Sequence, residues 1–342
     1  MADNNKRTKV LEALESQFQK TADNNKRVKF TEQEKEKEKE DVYDECVLVS
    51  GGFNFSCGRS STEIYNTHTK KIERGPDMAY ARYDHTMTTL PNGQIFVCGG
   101  RNDDLGYICL CELYNPKTRT FTKLGNLEVG RWGHTATLIK NGMVMIYGGF
   151  TYDDKLRTLT AVTAVELFDP ERGAFGALPK MFGRRRIGHA AVLLPNGELF
   201  VSGGNKDTTD VYESFRFSDD MTLLTAHRSA VDPTIRSGHA LALDKKSGKV
   251  VIFGGYKQSL SVIDPVSFDL MPPPIADQTL LPYEDMCVAA LSNGTFFVAG
   301  GTDNNVKSSC IVNLEAGTVT AGPSFSEDRR DAAAAVFTTR RL

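Results

Sequence analysis

Short apolar runs alternate with polar and glycine-rich stretches along most of this chain. Six runs of four residues each lead into a glycine pair: VLVS, IFVC, VMIY, LFVS, VVIF and FFVA. They are rich in β-branched and aromatic residues and are too short between glycines for helices, so they predict buried β-strands. The pairs begin at residues 51, 99, 148, 203, 254 and 300. This spacing predicts one supersecondary unit that recurs about every fifty residues.

Each unit carries further strand signals around its glycine pair. A turn such as Asn92-Gly93 precedes most of the runs, and Asn-Gly favours a two-residue hairpin. The strand that enters this hairpin is also repeated: HTMTTL, HTATLI, HAAVLL, HALALD and CVAALS. A third strand ends in a turn signal such as Asn115-Pro116, and a weaker fourth strand follows. The predicted unit is a four-stranded antiparallel sheet.

The repeat is out of phase with the ends of the sequence. The first unit begins with a second strand, Cys46–Val49, and lacks a first strand. The segment Ala332–Phe337 matches a first strand with no second strand after it. We therefore expect Ala332–Phe337 to complete the first unit and to close the repeats into a ring, which leaves no open sheet edges at the junction.

The first 41 residues differ in kind from the rest. The string ADNNKR occurs twice, an apolar stripe lies between the copies at helical spacing, and a Lys/Glu alternation follows. We predict a charged N-terminal arm over residues 1–41, helical or disordered, and a ring over residues 42–342. The arm is either a disordered tail without an interaction role or an element that docks on an assembly.

The string RWGHTATLIKNGMVMIYGG … AVELFDP resembles a kelch repeat of the kind shared with the galactose-oxidase central domain. The resemblance extends over about residues 42–342 and recurs in all six units. It implies an all-β fold: a six-bladed kelch β-propeller of four-stranded blades, closed by the C-terminal strand. It implies little about activity, because propellers support unrelated functions.

Charge and cysteine content narrow the function classes. The formal net charge is −2, with 41 Lys and Arg against 43 Asp and Glu, so a general electrostatic case for nucleic-acid binding is missing. No run is long and apolar enough for a membrane span, and no secretion signal is recognisable. Seven cysteines without CxxC pairs favour free thiols. We predict a cytoplasmic protein that binds neither nucleic acid nor membrane.

An arginine stands just before the first strand in five of the units, and a glutamate stands at this position in the sixth unit. The column reads Arg82, Arg131, Arg186, Arg236, Glu284 and Arg329. In a propeller this position lies at one mouth of the central channel, where guanidinium groups would recognise carboxylates or phosphates. Kelch adaptors of ubiquitin ligases are similar, since arginines at the equivalent R-x-G position bind acidic degrons. Arg131, Arg186 and Arg236 match that motif, whereas Arg82 and Arg329 are followed by Asp84 and Asp331. The alternative is pairing with acidic loop residues such as Asp103 and Asp153.

A histidine column follows three residues after the arginines. It contains His85, His134, His189 and His239. Imidazole is a common metal ligand, but residues on opposite blades are a channel width apart, so we predict hydrogen bonds to the backbone of a neighbouring blade. The copper ligands of galactose oxidase have no recognisable counterpart. We expect no metal site and no cofactor.

The long connector Phe150–Thr163 breaks the symmetry of the repeats, and Trp132 and Tyr152 add aromatic anchors near the arginines. We predict a non-catalytic scaffold that binds an acidic or phosphorylated segment of a partner protein at the channel mouth. One alternative is a carbohydrate-active kelch enzyme, similar to sialic-acid epimerases or oxidases, which Glu284 among the arginines would suit. The other is a structural subunit of a large assembly, held by the N-terminal arm.

Overall fold

The computed structural model describes residues 42–153, 155, 157–177, 180–181, 186–204, 211–218, 223–231, 236–255, 260–302 and 307–341. The arm predicted over residues 1–41 lies outside them. Asp44–Thr339 forms one compact unit of the chain. This unit contains all six glycine pairs. The described residues contain strands, turns and bends but no helix.

Strands follow one another along the chain at the predicted places. The first fifteen are β1 (Tyr43–Ser50), β2 (Thr62–Asn66), β3 (Lys71–Arg74), β4 (Thr86–Thr89), β5 (Ile95–Cys98), β6 (Arg101–Asn102), β7 (Gly106–Tyr107), β8 (Cys111–Asn115), β9 (Thr120–Lys123), β10 (Thr135–Leu138), β11 (Val144–Tyr147), β12 (Phe150–Asp153), β13 (Thr158–Ala161), β14 (Glu166–Asp169) and β15 (Ala174–Ala177). The others are β16 (Lys180–Met181), β17 (Ala190–Leu193), β18 (Leu199–Ser202), β19 (Val211–Phe217), β20 (Leu223–Val231), β21 (Ala240–Leu243), β22 (Val250–Phe253), β23 (Leu260–Ile263), β24 (Leu270–Met271), β25 (Met286–Ala290), β26 (Phe296–Gly300), β27 (Ser309–Asn313), β28 (Thr318–Ala321) and β29 (Ala333–Arg340).

These strands form six four-stranded blades, which confirms the predicted six-bladed propeller. Blade one is β29-β1-β2-β3, blade two β4-β5-β8-β9, blade three β10-β11-β14-β15, blade four β17-β18-β19-β20, blade five β21-β22-β23-β24 and blade six β25-β26-β27-β28. Neighbouring strands within these sets of four are antiparallel. The short β16 adds a fifth strand to the sheet of blade four, parallel to β20. Blade one is closed by the last strand of the chain, as the missing first strand predicts.

The core lies between blades rather than inside any one of them. Every residue of β5, β11, β18 and β22 is buried, because each blade is covered on both faces by its neighbours. This two-sided burial explains why the runs before the glycine pairs are uniformly apolar instead of alternating. Aromatic rings stack across the interfaces, for example Phe96 on Phe168, with centroids 4.3 Å apart, and Tyr65 on Phe297 at 4.7 Å.

Two connectors that follow glycine pairs form small β-hairpins. Phe150–Thr163, expected to be a loop, contains the antiparallel pair β12–β13, and β6 pairs with β7 in blade two. Both hairpins leave the end of a blade at which the glycine pairs lie, and we call this end the glycine face. The Asn-Gly turns lie at the opposite end. Leu223–Val231 forms β20, the long fourth strand of blade four.

The contribution of ring closure to stability can be measured at Phe337. Its side chain is buried in β29 and meets the Tyr114 ring of blade two edge-on, with centroids 5.8 Å apart. We expect Phe337→Ala to lower the free energy of unfolding by about 3–5 kcal/mol, because the substitution removes an aromatic ring from a packed interface. Urea unfolding followed by the fluorescence of Trp132, the single tryptophan of the chain, measures this change.

Thr338→Ala is the matched control for this substitution, since Thr338 is exposed on the same strand. A loss below about 0.5 kcal/mol for Phe337→Ala, the range of ordinary surface substitutions, would mean that closure contributes little.

Candidate functional site

The five arginines of the repeat column are buried. Arg82, Arg131, Arg186, Arg236 and Arg329 are each at most 1% exposed. Buried guanidinium groups cannot present hydrogen-bonding forks to a ligand, so the predicted positive recognition surface is wrong in this respect. The expectation of an acidic or phosphorylated partner segment depended on that surface, and it loses its basis.

Each arginine instead binds groups of its own blade. Arg82 donates from Nη1 to the carbonyls of Gly99 and Leu110 at 3.0 and 2.9 Å, and from Nη2 to Glu112 Oε1 at 2.7 Å. Arg329 repeats the pattern on Gly51, Ser61 and Glu63. Arg131 pairs with Glu166, and Arg186 pairs with Glu213. These partners are strand glutamates and not the loop aspartates that the sequence offered as an alternative.

A column of glutamates was not predicted from the sequence. Glu63, Glu112, Glu166 and Glu213 stand at one register of the third strand in blades one to four, just before an Ile-Tyr, Leu-Tyr, Leu-Phe or Ser-Phe pair. Blade five has Ser261 there, whose Oγ accepts from Arg236 Nη2 at 2.8 Å. Blade six has neither arginine nor glutamate. The sequence did contain a signal for these ion pairs, because the glutamates recur with the same period as the arginines.

Glu284 does not belong to the arginine column. The second glycine of a pair donates its N–H to the carbonyl of the arginine position in the next blade: Gly204 to Arg236 at 3.1 Å, and Gly255 to Tyr283 at 2.6 Å. Tyr283 therefore holds the arginine position of blade six, and Met286, three residues later, holds the histidine position. The predicted assignment of Glu284 is wrong by one residue.

Glu284 belongs instead to the residues that follow the arginines, which form the rim of the channel mouth. This rim consists of Arg330, Tyr83, Trp132, Ile187, Ser237 and Glu284 in blades one to six. Its members are half-buried or exposed, in contrast to the arginines before them. The structure thus brings two predicted site residues, Trp132 and Glu284, to one rim, and it places the five arginines behind that rim.

An aromatic cluster covers the rim at blades two and three. The Arg101 guanidinium carbon lies 5.0 Å from the centre of the Tyr83 ring, 4.9 Å from Trp132 and 5.9 Å from Tyr107. The Trp132 ring also meets Phe150 edge-on at 6.3 Å. Its indole N–H is buried and has no hydrogen-bond acceptor among the described residues. The predicted anchor Tyr152 lies in the adjacent hairpin, exposed and opposite Leu159.

The histidine column joins neighbouring blades through side chains. His85 Nε2 lies 2.8 Å from Ser50 Oγ, His134 Nε2 3.0 Å from Thr86 Oγ1, and His239 Nε2 2.6 Å from Ser202 Oγ. The expected partner was backbone, and the observed one is a hydroxyl. The rings also lie where a side chain on the first glycine would go: a Cβ at Gly99 would stand 2.6 Å from His134 Cε1, at a backbone φ of +62°.

A ring of backbone hydrogen bonds surrounds the axis between the rim and the histidines. The residues are Asp84, Gly133, Gly188, Gly238, Asp285 and Asp331, and each donates its N–H to the carbonyl of the residue in the preceding blade, at 2.8–3.4 Å. All six have φ between +53° and +67°, a left-handed conformation that glycine and aspartate tolerate better than other residues. This requirement explains the Gly/Asp choice at the third position of each motif.

The buried ion pairs predict a large cost for removing one partner. We expect Arg82→Met to lower the free energy of unfolding by about 3–5 kcal/mol, because it leaves Glu112 as an uncompensated buried charge. Arg82→Met combined with Glu112→Gln removes that charge and should recover at least about 1 kcal/mol of the loss. Urea unfolding of the wild type, both single variants and the double variant measures the coupling. Additive losses would contradict a paired role.

The histidines predict acid sensitivity. Burial, together with the nearby Arg236, lowers the pKa of His239 from 6.5 to about 3. The unfolded chain takes up this proton below pH 6.5 while folded His239 stays neutral, so the free energy of unfolding falls as pH falls from 6.5 towards 3. His239→Gln should reduce that slope by about 1.4 kcal/mol per pH unit. The exposed His68→Gln is the control. Equal slopes in both variants would contradict the assignment.

Comparison with known proteins agrees with the architecture. Among the described residues no helix is long and apolar enough to cross a membrane. A family model described as the Kelch motif matches residues 81–128, which run from the Arg82 motif through β4, β5, β8 and β9 of blade two. A search of curated proteins finds none that matches the chain. The matched motif, the six glycine pairs and the six blades agree with one another in indicating a β-propeller built from kelch repeats.

Proposed function

We propose that this protein is a non-catalytic scaffold that binds a partner protein on the glycine face, over the channel rim and the hairpins of blades two and three. Kelch propellers commonly serve as protein-interaction scaffolds. The observation that carries the proposal is the cluster of Tyr83, Arg101, Tyr107, Trp132 and Phe150 at this rim. Tryptophan, tyrosine and arginine dominate the binding energy of protein interfaces.

Exposed apolar side chains extend this cluster outwards. Phe55, Leu105, Tyr152 and Leu159 are 44–60% exposed, and all four lie in connectors on the glycine face. The β12–β13 hairpin holds Tyr152 and Leu159 as cross-strand neighbours, so little backbone freedom remains for a partner to remove. Apolar tips around a rigid aromatic and arginine centre match the anatomy of a protein interface.

The alternatives have lost the observations that favoured them. The carbohydrate-active enzyme was suggested by Glu284 among exposed channel arginines, but those arginines are buried and Glu284 stands in another column. The role as a subunit held by the N-terminal arm involves residues outside the described ones. Docking of the arm and a cytoplasmic location therefore stay predictions.

A capture experiment tests the binding face. The full chain, immobilised through a C-terminal tag, is incubated with extract of the source cells, and bound proteins are quantified by mass spectrometry. Tyr152→Ser combined with Leu159→Ser should reduce specifically captured proteins at least tenfold, because it removes the apolar tips of the β12–β13 hairpin without touching the core.

Val266→Ser is the matched control for this experiment. Val266 is 63% exposed in the β23–β24 turn, at the end of the propeller opposite to the glycine face. Equal losses of captured protein in both variants, or no loss in the hairpin variant, would contradict the proposed face.

A further inference from the structure

A cavity opens on the axis of the propeller beneath the rim. Its volume is about 130 Å³, and each blade contributes two adjacent residues to its wall. One set is the hydrogen-bonded ring, with aspartate in blades six, one and two and glycine in blades three to five. The other set includes the histidines of blades two to five. Acidic side chains therefore occupy one half of the cavity and open glycine backbone the other half.

The three carboxylates of Asp84, Asp285 and Asp331 lack hydrogen-bond donors among the described residues. The nearest cationic groups approach only to 3.8 Å between Arg101 Nη1 and Asp84, and to 3.9 Å between Arg330 and both Asp285 and Asp331. These distances exceed a hydrogen bond. Two guanidinium groups thus approach three carboxylates without a hydrogen bond to any of them.

His85 adds an unpartnered ring nitrogen to the wall of the same cavity. Its Nε2 lies 2.8 Å from Ser50 Oγ, which also lies 3.1 Å from Met87 Sδ. The other ring nitrogen, Nδ1, has no partner among the described residues, although the side chain is only 6% exposed. Polar groups without partners therefore line the cavity from two independent columns of residues.

We propose that this axial cavity takes the cationic end of a lysine or arginine side chain supplied by the protein partner, with Asp84, Asp285 and Asp331 as its acceptors. The inference rests on the proposed function and names the partner's anchor: a basic residue, in place of the acidic segment that the sequence suggested. Several N–H donors on one cation match several unpaired acceptors, and charge-assisted hydrogen bonds are the strong ones.

The raised pKa values of the three carboxyl groups determine how cation binding should depend on pH. Burial, with the charges of Asp84 and Asp285, raises the pKa of Asp331 to about 8, while Arg330 and Arg101 oppose the shift. Burial raises the pKa of Asp84 to about 6, and the charge of Asp285 adds to this shift. Burial also raises the pKa of Asp285 to about 6, and the charge of Glu284 adds to that shift. A bound cation favours the ionised forms, so its affinity should rise between pH 6 and pH 9 as the carboxylates lose their protons.

The chain itself supplies the conservative substitution for a test. Glycine occupies the equivalent ring position in three blades with φ of +61° to +67°, so Asp→Gly at the other three positions keeps a backbone conformation that the ring already uses. Asp331→Gly, Asp285→Gly and Asp84→Gly therefore change the charge of the cavity with little change of fold. Asp269→Gly, in an exposed turn outside the cavity, controls for net charge.

The experiment titrates the ¹⁵N-labelled full chain with three capped heptapeptides, Gly-Ser-Gly-X-Gly-Ser-Gly with X as arginine, lysine or glutamate. The arginine or lysine peptide should shift the amide signals of Gly133, Gly188 and Gly238, and the glutamate peptide should not. Asp331→Gly should weaken the affinity about tenfold, as expected for one charge-assisted contact, and should flatten its rise with pH. Asp269→Gly should leave both unchanged.

Equal binding of all three peptides, or equal affinity in Asp331→Gly and Asp269→Gly, would overturn the basic-anchor assignment. This failure is distinct from failure of the proposed function. If the Asp→Gly variants capture partner proteins as well as the wild type does while the hairpin variant captures none, the binding face stands and the anchor is wrong.

Discussion

The buried arginine–glutamate pair is the interaction on which the rest of this propeller depends. In blade two, one guanidinium group binds the carbonyl of the first glycine of the pair, the carbonyl of Leu110 and the carboxylate of Glu112 on the third strand. The other oxygen of that carboxylate accepts the N–H of Ala79 at 2.7 Å, in the segment that enters the blade. Three separate pieces of backbone are thus held around one charge pair, and an arginine–glutamate pair of this kind occurs in blades one to four.

Because the arginine is anchored in this way, four consecutive residues of the motif have four different structural roles. In Arg82-Tyr83-Asp84-His85 the arginine is fixed inside, the next residue is left at the rim, the third joins the axial hydrogen-bonded ring, and the histidine binds a hydroxyl of the preceding blade. The repeated geometry is internal, whereas the rim changes from blade to blade. Variation of rim and connectors on a fixed frame lets one half of the mouth become aromatic without disturbing the ring.

The sequence predicts the fold well because the fold follows from the repeat period and from the pattern of apolar and polar residues. Glycine pairs, apolar runs and turns determine the six blades and their closure by β29, and no long-range detail is needed for them. The site is predicted less well because a column of arginines has the same appearance whether its members are exposed or paired. Burial depends on Glu112 and its equivalents, which stand on another strand. In blade six the residue spacing shifts by one, which is revealed by the hydrogen bonds from Gly255 to Tyr283 and from Asp285 to Gly238.

Hydrogen exchange of arginine side chains is the decisive measurement for the buried ion pairs. ¹⁵N spectra of the guanidinium groups, recorded after transfer to deuterated solvent, distinguish buried from exposed arginines. We expect slow exchange for Arg82, Arg131, Arg186, Arg236 and Arg329, and exchange at the solvent-exposed rate for Arg172, whose side chain is 83% exposed. Rapid exchange of all these groups would contradict the internal pairing, because the arginines would then be available at the channel mouth as free cations.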